Sequence, residues 1–257
     1  NSGTIGSITG NFISNSASSS GGAIFNSGTI GSITGNFISN SASSSGGAIF
    51  NSGTIGSITG NFISNSASAR GGAIFNTGTI GSITGNFISN SASDRGGAIY
   101  TNRNNMTLTA DGLSNINDGV STISGNYISS DGGITKKYEA VYVENSNATF
   151  ILETKNNGVF TIDDYINGVN GYGLNITGDG TGSVNFNNKI LNAKLNVDNT
   201  NFYWNIKNNA IDEFTLNTIN IDNSTAVSEL KVDVDLASGK ADKISPNTVG
   251  SNGVLTI

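Results

Sequence analysis

The sequence has no cysteine and no histidine, and it contains a single proline among 257 residues. Without cysteine there are no disulfide bonds and no thiolate metal ligands, and without histidine there is no imidazole ligand and no histidine general base. No run of 18 or more apolar residues occurs, so we expect no direct membrane insertion by this segment. These absences leave few routes to catalysis or metal binding.

Charge is almost absent from the first hundred residues, where only Arg70, Asp94 and Arg95 are charged. We expect these three residues to lie at one solvent-facing corner of the fold. The whole chain has a net charge of −6 and a pI near 4.5, so it lacks the basic face that nucleic-acid phosphates require, and we exclude nucleic acid as a partner. The chain begins inside its own repeat without a methionine, which indicates a segment of a longer protein.

What the sequence does contain is a repeat. The stretch GGAIFNSGTIGSITGNFISNSASSS, from Gly21 to Ser45, recurs almost unchanged every 25 residues as far as Tyr100. A disordered linker has no use for isoleucine and phenylalanine held in phase, so we predict that the array is folded. In the first unit the phased apolar residues are Ile5, Ile8, Phe12, Ile13, Ala23, Ile24 and Phe25.

Glycines divide each unit into three short runs, which are Thr4–Ile8, Asn11–Ser14 and Ala23–Phe25 in the first unit. Their apolar residues are β-branched or aromatic and suit strands, while glycine and serine weaken helices. Five or six buried isoleucine and phenylalanine side chains contribute about 10 kcal/mol, whereas ordering one unit costs roughly 25–50 kcal/mol of backbone entropy. A single unit therefore cannot fold alone and must stack on its copies.

Stacking puts like residues over like residues, with main-chain hydrogen bonds between coils about 4.8 Å apart. The prediction is an all-β fold, namely a right-handed parallel β-helix (β-solenoid) with three faces and 25-residue coils in the first half. Asn11, Asn15 and Asn26 recur in phase, so we expect their side-chain amides to form ladders from coil to coil.

Repetition fades after Tyr100, which divides the chain into a near-identical array over residues 1–100 and an irregular continuation of the β-helix over residues 101–257. The stretch TISGNYISS (Thr122–Ser130) echoes SITGNFISN, and AVYVENSNATF (Ala140–Phe150) answers GAIFNSGTI. Residues 131–139 interrupt this pattern and are predicted to bulge out as a loop. Short alternating strands without a helical period follow, so we predict irregular, wider coils.

The acidic residues of the second half are candidates for catalytic groups, because some β-helical proteins cleave polysaccharides. Glycoside hydrolysis needs two carboxyl groups that face each other across a cleft. We interpret these carboxylates as solvated surface residues, predict no catalytic residue, and do not expect an enzyme. The groups considered are Asp163-Asp164, Asp212-Glu213 and the triplet Asp233, Asp235 and Asp242.

Two further motifs are also interpreted as structural. GDGTG (Gly178–Gly182) looks like a glycine-aspartate calcium loop, but a single copy is more typical of a turn, so we predict no metal and no cofactor. FYWNI (Phe202–Ile206) places Phe202 and Trp204 on one face of a strand, which we expect to pack in the core. An exposed aromatic there would instead offer a contact for a sugar or a protein.

The pairing of GGAIF with FISN resembles the GGA(I/L/V) and FxxN repeat pair of polymorphic outer-membrane-protein-type autotransporters. The pair occurs as Phe12–Asn15 with Gly21–Ile24, and in three further copies. The tail LKVDVDLASGKADKI (Leu230–Ile244) is similar to the end of many autotransporter passengers. The resemblance implies a secreted, extracellular β-helical passenger displayed at a Gram-negative outer membrane, often in adhesion.

We therefore expect a surface-exposed passenger segment that acts as an adhesin or as a rigid display stalk, without catalysis. Its partner would be a protein or glycan on another cell or surface. The alternative is a self-assembling extracellular filament, because bare sheet edges favour end-to-end association. An ice-binding solenoid is disfavoured, since Thr4 and Thr9 lie five residues apart rather than at alternate positions.

Overall fold

The computed structural model describes residues 1–103, 105–114 and 117–205, and beyond them the backbone of five short segments: 213–222, 228–231, 234–235, 240–241 and 243–251. The described residues form a parallel β-solenoid and contain no α-helix, so the predicted all-β fold is confirmed. The right-handed sense of the coil stays a prediction.

Four parallel sheets run along the stack and are numbered here in the order in which one coil visits them. Sheet 1 consists of Thr4–Thr9, Thr29–Thr34, Thr54–Thr59, Thr79–Thr84, Met106–Asp111, Thr149–Lys155, Tyr172–Gly178, Ala193–Asp198, Glu213–Asp222 and Lys243–Ser251. Sheet 2 consists of Phe12–Ile13, Phe37–Ile38, Phe62–Ile63, Phe87–Ile88, Val120–Ser124, Val159–Ile162, Ser183–Phe186, Asn201–Asn205 and Ser228–Lys231.

The other two sheets are shorter. Sheet 3 consists of Ser16–Ala17, Ser41–Ala42, Ser66–Ala67, Ser91–Ala92 and Tyr127–Ile128. Sheet 4 consists of Ile24–Asn26, Ile49–Asn51, Ile74–Asn76, Ile99–Thr101, Glu139–Val143 and Tyr165–Gly168. A 3₁₀ turn at Asn117–Gly119 and an antiparallel pair formed by Val234–Asp235 and Lys240–Ala241 complete the described elements.

Like residues stack on like residues throughout the repeat array. Phe62 pairs with Phe37 on one side and with Phe87 on the other, and the rings of Phe37 and Phe62 are parallel with centroids 4.7 Å apart. This distance agrees with the spacing of about 4.8 Å expected between hydrogen-bonded strands. The predicted stacking of successive units is therefore confirmed.

Each coil of the repeat array has one strand more than predicted. The three predicted runs each overlap a strand, but Ser16–Ala17 forms a fourth that pairs with Ser41–Ala42. Serine and alanine are poor strand formers, and this strand exists because the coils above and below supply its hydrogen-bonding partners. The prediction of three strand runs, and of three faces, was thus incomplete.

Only part of the phased apolar set points into the coil. Ile30, Ile33, Phe37 and Ile49 are fully buried, whereas Ile13 and Phe25 face outward with 56% and 47% of their surface exposed. Neighbouring residues of a strand point to opposite faces, so Ile13 must face away from the core when Phe12 enters it. Each repeat coil after the first therefore buries four isoleucine and phenylalanine side chains rather than five or six.

The stack continues into the second half with coils of uneven length. Residues that hydrogen-bond across adjacent coils are 44 positions apart for Thr109 and Glu153, but only 21 apart for Asn175 and Asn196. The predicted irregularity is correct, whereas the prediction of wider coils is wrong for the later ones. The interruption at 131–139 does leave the coil as a loop, with 87% of Ile134 exposed.

The echo TISGNYISS does not stack as its letters suggest. Phe87 pairs with Ile123 rather than with Tyr127, so ISGN takes the place of FISN. Gly125, with φ of 68°, replaces Ser89, with φ of 56°, in the same left-handed turn. This register keeps the buried hydrogen bond from the Asn90 amide to the Asn126 side chain, and that bond stabilises it over the register that would align the similar residues.

Candidate functional site

The GGAI motif brings successive coils close together, as its third copy shows. Gly71 has φ of 65°, in the left-handed region that favours glycine. A Cβ on Gly72 would lie less than 3.0 Å from the backbone oxygens of Gly97 and Ser91 in the next coil. Ala73 is fully buried beside them. The motif therefore has a packing role and presents no side chain to a ligand.

The FxxN motif supplies one core residue and one ladder residue per coil. In the third copy Phe62 is fully buried and Ser64 adopts a left-handed turn with φ of 55°. The side-chain oxygen of Asn65 then accepts hydrogen bonds from the main-chain N–H and the side-chain amide of Asn40, at 3.0 and 2.9 Å. Its own amide donates to the Phe37 carbonyl at 2.9 Å.

Three asparagine ladders run along the array, as predicted. Their side chains hydrogen-bond from Asn15 to Asn40 at 2.9 Å and from Asn26 to Asn51 at 2.8 Å. The third ladder, which starts at Asn11, is more exposed to solvent than the other two. Because the amides of the two inner ladders bond to one another and to the main chain, these ladders stabilise the coil rather than form a binding site.

Asp164 ends one of the inner ladders and is buried, with 2% of its surface exposed. One carboxylate oxygen accepts from the main-chain N–H and the side-chain amide of Asn126, both at 2.8 Å, and the other accepts from the Gly125 N–H at 3.0 Å. In the regular coils the N–H at the position of Gly125 donates to a main-chain carbonyl, as the Ser64 N–H does to the Ile88 carbonyl. Our interpretation of Asp164 as a solvated residue is therefore wrong, because its carboxylate replaces two internal acceptors.

Glu139 has a similar role where the 131–139 loop rejoins the stack. Its side chain is 1% exposed, and its carboxylate accepts from the Gly96 N–H at 3.0 Å and from the Asn167 amide at 2.9 Å. In the previous coil Gly71 donates to the Arg95 carbonyl instead. Burial raises the pKa of Glu139 above its usual range. Asp164 and Glu139 thus both accept hydrogen bonds from N–H groups that bond to main-chain carbonyls in the regular coils.

Because the Asp164 carboxylate is buried, we expect the free energy of unfolding to fall as pH rises from 4 to 7. Burial raises its pKa from 3.8 to about 6, so the folded state holds this proton more strongly than the unfolded chain does. The resulting stability is complete below about pH 4 and is lost as pH rises through about 6, which amounts to about 3 kcal/mol. Urea denaturation at several pH values measures it. Asp164→Asn should flatten the curve, and an unchanged slope in that variant would contradict the assignment.

The charged residues of the array lie at one solvent-facing corner, as predicted. Arg70 and Asp94 form an ion pair at 2.8 Å with 38% and 50% of their side chains exposed. The guanidinium of Arg70 lies 5.2 Å from the ring centroid of Tyr100, and that of Arg95 lies 4.7 Å from Tyr142. Exposed pairs of this kind contribute little to stability, so the corner adds surface charge rather than rigidity.

The two remaining motifs are placed as predicted. Phe202 and Trp204 are buried in the core, with 1% and 2% of their surface exposed. Gly178–Gly182 forms a turn in which Asp179 accepts from the side chain and the N–H of Thr181 at 2.6 and 3.0 Å. The hydroxyl of Thr181 lowers the pKa of Asp179 to about 2.

The carboxylates that were interpreted from the sequence as solvated surface residues are only partly described. Asp163 is exposed and accepts from the Asn187 amide at 2.8 Å, while its neighbour Asp164 is buried. Asp212, Asp233 and Asp242, and the side chains of Glu213 and Asp235, lie outside the described residues. Within the part of the chain that the structure describes, no three acidic residues come together as metal ligands would.

A shallow groove follows the corner between sheets 1 and 2 across the repeat array. We call it the threonine groove, and it is lined chiefly by Thr34, Asn36, Thr59, Asn61, Thr84 and Leu113. Its volume is about 680 Å³, within the range of small-molecule sites. No pattern in the sequence predicts this groove, because its wall comes from the 111–114 turn, whose position follows only from the stacked fold.

No helix among the described residues is long and apolar enough to span a membrane.

Residues 84–102 match the family model of the Chlamydia polymorphic membrane protein repeat. The matched segment contains Phe87–Asn90 and Gly96–Ile99, which form one FxxN and GGAI pair. No curated protein and no solved structure matches the chain. The resemblance inferred from these motifs is thus confirmed over residues 84–102, where the chain carries a repeat of the polymorphic membrane protein type.

Proposed function

We propose that the chain is part of a surface-exposed β-helical passenger at a Gram-negative outer membrane, acting as an adhesin or a rigid display stalk without catalysis. The observation that carries this proposal is the combination of an in-register solenoid with a polymorphic membrane protein repeat. Ten strands of sheet 1 stacked about 4.8 Å apart give a rod roughly 45 Å long. Such a rod projects its loops and corners away from an anchoring surface.

The stacked interior supports the stalk role. Aromatic rings stacked with centroids 4.7–4.8 Å apart and buried amide ladders connect every pair of neighbouring coils in the array. The outer face offers contacts instead, because Ile13, Phe25, Leu113, Ile134 and Tyr138 are all exposed. Exposed apolar side chains on a stiff support suit the recognition of another surface, since little entropy is lost on binding.

Two measurements test the proposal. Antibodies against the repeat should label intact cells of the source organism, and labelling only after permeabilisation would refute surface display. Beads coated with the purified chain should attach to cultured epithelial cells more than albumin-coated beads do. Attachment at the albumin level would leave the stalk role and remove the adhesive one. Fibres of the purified chain in electron micrographs would favour the filament instead.

A further inference from the structure

The threonine groove contains hydroxyl groups that no other described residue uses. Thr34, Thr59 and Thr84 line it at equivalent positions of three successive coils. Their side-chain hydroxyls make no hydrogen bond to any other residue that the structure describes. Each hydroxyl can donate one hydrogen bond and accept others. The groove therefore presents a row of free hydroxyls at the spacing of the coils.

The main chain at this corner is already occupied. The N–H of Gly35 donates to the Thr59 carbonyl at 2.9 Å, and the N–H of Gly60 donates to the Thr84 carbonyl at 2.9 Å. A peptide that binds by strand addition needs a free row of main-chain donors and acceptors. The groove offers none at these positions, so recognition has to use side-chain hydroxyls and amides.

The charge of the groove selects among polar ligands. Among the described residues no lysine or arginine lines it, and the one ionisable group in its lining is the Asp111 carboxylate at the wall. The Asn156 amide donates to this carboxylate at 2.9 Å and lowers the pKa of Asp111, so the group is ionised at neutral pH. The Lys155 ammonium next to Asp111 forms an ion pair with the Glu153 carboxylate at 2.9 Å, so the wall keeps a net negative charge, which sulfate, uronate or sialate groups would meet.

We propose that the threonine groove binds an extended neutral glycan whose successive sugars lie over successive coils. This deepens the proposed adhesive function and rests on it, since it names the partner class and the surface that contacts it. A neutral glycan offers a hydroxyl donor and acceptor at every sugar, and the groove repeats its own hydroxyls once per coil. The exposed side chain of Leu113 gives the wall an apolar surface for the C–H face of a terminal sugar.

The test uses the whole chain with threonine methyl groups labelled for NMR. Cellohexaose and mannohexaose at millimolar concentration serve as neutral probes, and hexagalacturonate is the acidic counterpart. At least one neutral probe should shift the signals of Thr34, Thr59 and Thr84, while the acidic probe leaves them unchanged. Thr59→Val removes one hydroxyl and should weaken binding about 5-fold.

The same strand supplies a matched control. Thr54 is an exposed threonine at the opposite end of Thr54–Thr59 and lies outside the groove, so Thr54→Val should leave the affinity unchanged. Equal losses in the two variants, tighter binding of the acidic probe, or no shift with either neutral probe would overturn the proposal. If coated beads still attach to cells when neither glycan binds, the groove proposal fails and the adhesive function stands.

Discussion

Replacing Gly72 with alanine should destabilise the solenoid by about 3 kcal/mol. The added methyl group would lie less than 3.0 Å from the main-chain oxygens of Gly97 and Ser91, which belong to the next coil. These oxygens are held in place by coil-to-coil hydrogen bonding, so they cannot move without opening the stack. Gly72 is not in the left-handed region, so the loss reports the close approach of two coils rather than backbone strain.

The measurement is urea denaturation of Gly72→Ala, with Gly6→Ala as the control. A Cβ on Gly6 meets no atom within 4 Å, so the same change there should alter stability by less than about 0.5 kcal/mol. Because a solenoid is stabilised by interfaces between neighbouring coils, the Gly72 variant should also lose cooperativity between its two sides. Equal midpoints for the two variants would show that the coils are not packed as closely as described.

The repeat period was enough to predict the stacked array, because nearly identical units that cannot fold alone bury their apolar residues by stacking on one another. The pairing of Phe37 with Phe62 and the ladder through Asn40 and Asn65 both follow from that period. The fourth strand at Ser16–Ala17 does not, since it forms only between neighbours already in place. The sequence pattern thus predicts which residues stack on one another where each residue recurs among the same neighbours in the next unit.

Where the period breaks, sequence similarity stops indicating spatial neighbours. Ile123 pairs with Ile162, yet Asn126 lies three residues after the first and Asp164 only two after the second. The segment after Ile162 is thus one residue shorter than the segment after Ile123. No described main-chain carbonyl accepts from the Gly125 N–H there, and the second carboxylate oxygen of Asp164 is the acceptor instead. A carboxylate at the end of a strand normally indicates surface, so its burial could not be predicted from residue type.

Replacing Asn65 with alanine should reduce stability by about 4 kcal/mol, the largest effect that we expect from a single change in the array. Asn65 is fully buried, and its amide joins Asn40 on one side to Asn90 on the other at 2.9 Å. The variant would leave the buried N–H of Asn40 without its acceptor and the Phe37 carbonyl without this donor. Each buried group left unpaired costs about 1–3 kcal/mol.

The same coil offers a control in the more exposed ladder. Asn61 makes equivalent bonds to Asn36 at 3.1 Å and to the main chain of Asn86 at 3.1 Å, but it is only half-buried. Water can replace a lost amide there, so Asn61→Ala should cost only about 1 kcal/mol. Urea denaturation of the two variants compares an identical change at two depths. Because both residues stack in register, a similar loss at Asn61 and Asn65 would mean that burial does not set the strength of the ladders, and hence that the inner amides are not what holds the rod together.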